Sequence, residues 1–146
     1  MRKSVVLGVG HYVPPRVVTN DDLAKRIDTS DEWIQSRSGI QERRYVDKGT
    51  GNAEMSLAAT QMAVERAQKD YPTINQSQID LIILATISPD HNFPGDACFL
   101  QSRLDLPGVA ALDIRQQCSG FIYGISIADQ FIKTGMYKTV LVVGTE

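Results

Sequence analysis

The chain has 146 residues, and 15 Lys and Arg against 17 Asp and Glu leave a net charge of -2 at pH 7. With 42% hydrophobic and 22% charged residues, its composition is that of a globular protein and excludes a disordered one. The charge balance gives no support for a nucleic-acid footprint or an anionic-membrane surface, two cysteines are too few for a disulfide scaffold, and no apolar run reaches the ~18 residues of a membrane span.

From the start, Met1-Arg2-Lys3 leads into a short apolar run that ends in glycines. This reads as a strand over Ser4–Gly10 and not as a signal peptide, so an intracellular, cytoplasmic protein is expected. Tyr12 to Pro15 stops that strand. Thr19 or Asn20 caps a short helix expected to reach Ile27. Thr29 and Glu32 have the spacing of a capping box, opening a second helix that ends at Ser38 before Gly39. The third helix, Asn52–Asp70, carries Met55, Ala58, Ala59, Met62 and Ala63 on one face, and Pro72 ends it. Leu81–Ile87 is an unbroken apolar run, the pattern of a strand covered on both faces. Ser88–Gly95 is a loop, Ala97–Leu104 a helix, and Val109–Ile114 a further buried strand.

Ser119–Lys133 reads as a helix that is apolar nearly all round, and such a helix belongs inside a protein. Gly120 and Gly124, one turn apart, allow another backbone to approach. Gly135 ends the helix and Val140–Val143 forms the last strand. Strands alternating with helices imply an α/β fold with a mostly parallel sheet, with residues 1–146 taken as one domain. An end directly after a buried-type strand suggests part of a larger fold.

Cys118 lies between a strand and the N-terminus of the apolar helix. Free N–H groups at that end favour a thiolate and can hold an oxyanion, as thioester chemistry requires. The other reading of Cys118 is a buried, inert thiol, and Cys98, inside a helix, fits that reading better. Trp33 and Arg37 are one helical turn apart. An indole that stacks on a flat ring and a guanidinium that pairs with phosphate can together hold an adenine nucleotide, with Arg43 and Arg44 adding positive charge. From the residues alone, a core indole with Arg37 lying over it is the favoured reading, since the sole Trp of a small domain is usually a packing residue. Phe93, in the Pro- and Gly-bounded loop after a buried strand, is either a ligand or partner contact or part of a loop closing on its own core.

Other motifs fall away. Gly8-Val9-Gly10 lacks the third glycine of a dinucleotide fingerprint, which argues against a nicotinamide-dependent oxidoreductase. His11, His91, Cys98 and Cys118 do not have metal-ligand spacing. Asn75-Gln76-Ser77 matches a glycosylation sequon without any sign of secretion.

Several stretches together resemble one family: Asp28–Ile34, Arg37–Ile40 with Glu42-Arg43-Arg44, Phe93-Pro94, Asp113-Ile114, Cys118–Phe121, Ala128–Gln130 with Lys133 and Gly135, and Leu141–Gly144. The chain resembles the N-terminal half of β-ketoacyl-[acyl-carrier-protein] synthase III, a condensing enzyme of the thiolase-like superfamily. The resemblance implies an α/β thiolase-like half in which Cys118 is the nucleophile acylated by acyl-coenzyme A. It implies that Trp33 stacks on the coenzyme A adenine, with Thr29 and Arg37 as nucleotide and phosphate contacts. Phe93 then reaches across a homodimer to shape the partner's acyl pocket. No cofactor is held permanently: acyl-coenzyme A is a substrate, and malonyl-acyl-carrier protein is the second.

The family's decarboxylating His and Asn come from a C-terminal half that this chain does not contain, and without that half the helix after Ser119 is expected to be exposed. Gln116 and Gln117 are bulkier than the family's small residues before the nucleophile, which leaves the acyl group open. Two alternatives stand beside the condensing enzyme. One is a non-catalytic chain, either a dimerisation partner or one half of a split enzyme. The other is a related acyl-coenzyme A acyltransferase.

Overall fold

Residues 13–50 and residues 51–146 differ in how they are held together. The computed structural model describes residues 2–146 and divides them into two units, one formed by residues 13–50 and the other by the N-terminal residues to Tyr12 together with Gly51–Glu146.

The smaller unit is built on a hairpin that the sequence reading does not anticipate. Strand β1 (Arg16–Thr19) pairs antiparallel with β2 (Glu42–Tyr45), Val18 opposite Arg43. Between them lie α1 (Asn20–Ala24) and α2 (Asp31–Ser38). Thr19 caps α1 by accepting from Asp22 N, and Asp22 reaches back to Thr19 N. Helix α1 stops short of the expected Ile27: past Ala24 the chain continues as turns, with Arg26 N bonding Leu23 O three residues back. Helix α2 ends as expected, with Gly39 in the left-handed region at φ 70°. Its cap is Ser30, which accepts from Trp33 N at 3.1 Å, and not Thr29. Ser30 is the last extended residue before the helix, so its hydroxyl, one position on from the expected one, faces the orphan N–H groups.

The larger unit contains α3 (Asn52–Asp70), β3 (Leu81–Ala85), α4 (Asp96–Arg103), β4 (Ala110–Ile114), α5 (Gly120–Thr134) and β5 (Val140–Gly144). The three strands form a parallel sheet in the order β4–β3–β5. Ala85 is in register with Ile114 and Gly144, so all three carboxyl ends align. Successive side chains of a strand point to opposite faces. Ile82 and Leu84 therefore join Ala97, Leu100, Leu104 and Val143 on one face, while Leu81 and Ile83 join Ala128, Ile127 and Phe131 on the other. Helix α4 thus covers one face and α5 the other. The central strand β3 is buried throughout, as its composition requires; β4 is only half-buried, because it lies at the sheet edge with Leu112 exposed.

Three expectations are corrected here. Ser4–Gly10 is not a buried strand: no strand among the described residues pairs with it, and Val5, Val6 and Val9 are exposed. The segment lies on helices instead. Ser4 Oγ donates to Asp129 at 2.7 Å, Arg66 donates to Val9 O at 3.0 Å, and a Cβ on Gly8 or Gly10 would strike the carbonyl of Ala63 or Ala59. Helix α3 buries Ala53, Ser56, Thr60 and Ala67, a line rotated from the expected Met55-Ala58-Ala59-Met62-Ala63 face, which is half-buried. Small residues let the helix come close, and Thr60 Oγ1 satisfies itself on Ser56 O at 2.7 Å. Helix α5 is not enclosed: only Gly120, Gly124 and Ala128 are buried, while Phe121, Ile122, Tyr123 and Ile125 face outward. That exposure is the one the resemblance implied for a chain without the family's second half. The close approach expected at its glycines is present, since a Cβ on Gly120 would lie 2.9 Å from Ala85 Cβ and one on Gly124 2.9 Å from Val142 Cγ1.

Candidate active site

Strand β4 ends at Ile114, and six residues later the chain must enter α5 against the end of β3. Gly120 makes that possible by letting the helix start rest on Ala85. Between them, Gln117–Ser119 forms a single 3-10 turn, with Gln117 at φ 37°, a left-handed conformation that non-glycine residues adopt at a cost of about 1 kcal/mol. Cys118 is the middle residue of this turn and is exposed, so it is not a buried thiol. Ser119, next to it, makes no side-chain cap. The first N–H groups of α5 are therefore free of a side-chain acceptor, the arrangement that favours a nearby anion. Cys98 lies within α4 and is half-buried.

The loop carrying Phe93 leaves the same carboxyl end of the sheet, where ligands of open α/β sheets collect. Phe93 is 93% exposed, so the loop does not close over its own core.

In the smaller unit, the Arg37 guanidinium carbon lies 4.5 Å from the centre of the Trp33 ring, as the one-turn spacing requires. The indole is 54% exposed and is not a core residue. Thr29 Oγ1 is buried and unpartnered among the described residues. Arg43 and Arg44 are already engaged. Arg43 donates to Asn20 Oδ1 at 2.7 Å and Val18 O at 3.2 Å, and Arg44 pairs with Glu42 at 3.3 Å. They brace the hairpin, a use invisible until β1 and β2 are paired. The apparent sequon is also structural: Asn75 accepts from Ser77 N at 3.0 Å and caps a 3-10 turn.

Sequence reasoning missed one polar constellation, formed by Asn52, Thr86, Asp90 and Asp96 around the start of α3. The only signal was a polar residue at each helix start directly after a glycine. Gly51 and Gly95 have no side chain to cap with, so carboxylates from elsewhere take over: Asp90 accepts from Ala53 N at 3.2 Å and Asp113 from Ala97 N at 3.2 Å. Burial holds the Asp113 carboxyl above the ordinary carboxylate range, against the lowering effect of its bonds to the Ala97 and Asp96 N–H groups.

Residues 112–146, which contain the Cys118 turn and α5, match the 3-oxoacyl-[acyl-carrier-protein] synthase III family. The β-ketoacyl-[acyl-carrier-protein] synthase III of Caldanaerobacter subterraneus is 47% identical over 141 residues, 97% of this chain and 41% of that protein. The chain matches the N-terminal half of the synthase III family. The family's fold matches as well. The Aquifex aeolicus 3-oxoacyl-[acyl-carrier-protein] synthase III structure superposes with a TM-score of 0.88 at 47% identity, over 96% of this chain and 44% of that one. The priming β-ketosynthase of the R1128 polyketide pathway gives 0.91 at 33% identity, over 99% and 42%. The architecture is thus the α/β thiolase-like one expected, and the chain spans less than half the length of the relatives it matches.

Proposed function

We propose that this chain supplies the nucleophile and the nucleotide-binding residues of an acyl-coenzyme A-dependent condensing enzyme that starts fatty acid synthesis. The observation that carries the reading is Cys118: exposed, on a strained turn, at the uncapped N-terminus of α5, within the stretch that matches the synthase III family. The Cys118 thiolate attacks the acyl thioester carbonyl, the α5 N–H groups hold the oxyanion, and the carbon–sulfur bond to coenzyme A breaks with release of its thiolate. Malonyl-acyl-carrier protein then loses carbon dioxide. Its carbanion attacks the Cys118 thioester, giving 3-oxoacyl-carrier protein and the free thiolate.

In the smaller unit, Trp33 offers an indole face to the adenine, and Thr29 and Arg37 are the nucleotide and phosphate contacts. In a homodimer, Phe93 is the apolar surface given to the partner's acyl pocket, which suits its near-complete exposure. Both cysteines are free thiols, compatible with a reducing cytoplasm, and no helix among the described residues is long and apolar enough to cross a membrane.

Intact-mass measurement of the full-length protein, incubated with a panel of acyl-coenzyme A thioesters, tests the reading. A gain of one acyl group that vanishes in Cys118→Ala is expected, with iodoacetamide modifying Cys118 well before Cys98. A gain that survives Cys118→Ala, or no gain with any donor, overturns it.

A further inference from the structure

The loop between β3 and α4 is tied down at its base by polar groups, and not by apolar packing. Asn52, the buried first residue of α3, donates from Nδ2 to Ser88 O at 2.7 Å, to Asp96 Oδ2 at 3.1 Å and to Thr86 Oγ1 at 3.3 Å. Its Oδ1 accepts from Thr145 Oγ1 at 3.2 Å. Asp96 Oδ2 accepts in addition from Asp90 N at 3.0 Å, and Thr86 Oγ1 from Ser88 N at 3.1 Å. The Asp90 carboxylate bonds Ala53 N and fills the space that a Cβ on Gly51 would need. His91 stacks on Phe99 with ring centres 4.5 Å apart. The main-chain ties made by Asn52 and Asp96 fall on Ser88 and Asp90, and Glu146 accepts from Ile87 N and Ser88 Oγ at the start of the loop, leaving Asn92, Phe93 and Pro94 as an exposed tip.

Asp96 is 0% exposed, and its Oδ1 has no partner among the described residues. A buried carboxylate with one oxygen unbonded is a poor device for stability. Helix α4 is already held by Ala97, Leu100 and Leu104 in the core. What Asp96 and Asn52 do that those residues do not is bond the loop main chain from buried side chains.

We propose that Asn52 and Asp96 are positioning residues that fix the loop and so aim Phe93, setting acyl-chain selectivity without touching the acyl group. The proposal rests on the reading of Phe93 as an acyl-pocket residue. Two readouts on the full-length protein keep the two ideas apart: hydrogen exchange at the Ser88 and Asp90 amides, and the ratio of Cys118 acylation rates with long and short acyl-coenzyme A.

Asp96→Ala should speed exchange at the Asp90 amide by roughly tenfold, the loss of about one hydrogen bond to a charged or buried group. Asn52→Ala frees the Ser88 carbonyl and should speed exchange at both amides by less. Both variants should shift the acyl ratio in the direction that Phe93→Ala shifts it. Asp96→Asn keeps an acceptor oxygen and should restore both readouts. Should Asp96→Ala not fold, Asp90→Ala, at an exposed position, frees one anchor of the loop and should move both readouts less. Unchanged exchange in these variants overturns the proposal. So does faster exchange with an unmoved acyl ratio while Phe93→Ala does move it. If Phe93→Ala leaves the ratio unmoved, the acyl-pocket reading has failed and selectivity control fails with it, whatever the loop amides show.

Discussion

Helices α4 and α5 lie on opposite faces of the same three-stranded sheet, yet they are finished to different degrees. Helix α4 buries Leu100 completely, Leu104 just after it is nearly so, and the residues that the helix exposes, Ser102 and Arg103, are polar. Helix α5 meets the sheet through Gly120, Gly124 and Ala128, with Ile127 and Phe131 packed beside them, and leaves Phe121, Ile122, Tyr123 and Ile125 outside, Ile122 at 63% exposure. The α4 face is a completed core. The α5 face has small residues where a backbone must come close and large apolar ones where a further surface would be needed to cover them. In the first half of α5, side-chain size, more than hydrophobicity, decides which residues face the sheet; further along, Ile127 and Phe131 pack on it as well.

The largest test of this difference is a pair of truncations. Leu100→Ala should destabilise by about 2–5 kcal/mol, the range for a buried leucine that leaves a cavity. Ile122→Ala should change stability by no more than about 0.5 kcal/mol, because it removes no contact with the sheet. Urea midpoints of the two variants check this, and equal losses would break the comparison.

Gly124→Val sharpens it from the other side. Leaving glycine in a helix interior gains at most about 1 kcal/mol in propensity. The added atoms collide with Val142 Cγ1 and press on Ile83 Cγ2, and overpacking of that kind costs about 1–3 kcal/mol. The collision should win, giving a lower melting temperature than Gly124→Ala, whose single methyl needs a smaller shift.

The smallest expected effect is a pH dependence on the α4 face. Asp113 has a folded-state pKa raised above 3.8, mainly by burial. Its favourable contribution is fully present below 3.8 and is lost as pH rises through the raised value. Stability measured upward through the acidic range should therefore carry a downward term that Asp113→Asn removes, since the amide keeps an acceptor for Ala97 N. A variant whose pH profile parallels the parent would refute the assignment.

Much of the architecture was legible because it depends on local pattern. The apolar run at β3, the helix periodicity of α3, the Gly39 and Gly135 stops and the one-turn spacing of Trp33 and Arg37 are short-range properties, and each appears in the structure. The position of Cys118 between β4 and α5 was legible for the same reason. The hairpin was not. Val17 and Val18 meet Arg44 and Arg43 across a gap of two helices, and neither strand alternates cleanly enough to announce itself. Nor was the loss of the Ser4–Gly10 strand, since β-type residues make a strand only when another strand offers hydrogen bonds.

The sequence by itself determined the order and type of most elements, the apolar character of α5 and the residues available for chemistry, because side-chain volume, charge and backbone preference act over a few residues. Only the tertiary structure decided which face of α3 is buried, that Arg43 and Arg44 brace a hairpin, and that Asn52, Asp90 and Asp96 converge on one loop. Most of those facts depend on partners far apart in the chain, as with Arg43 and Asn20, 23 positions apart, and Asn52 and Asp96, 44 apart. A polar side chain's role is set by which donor or acceptor remains within reach once water has been excluded.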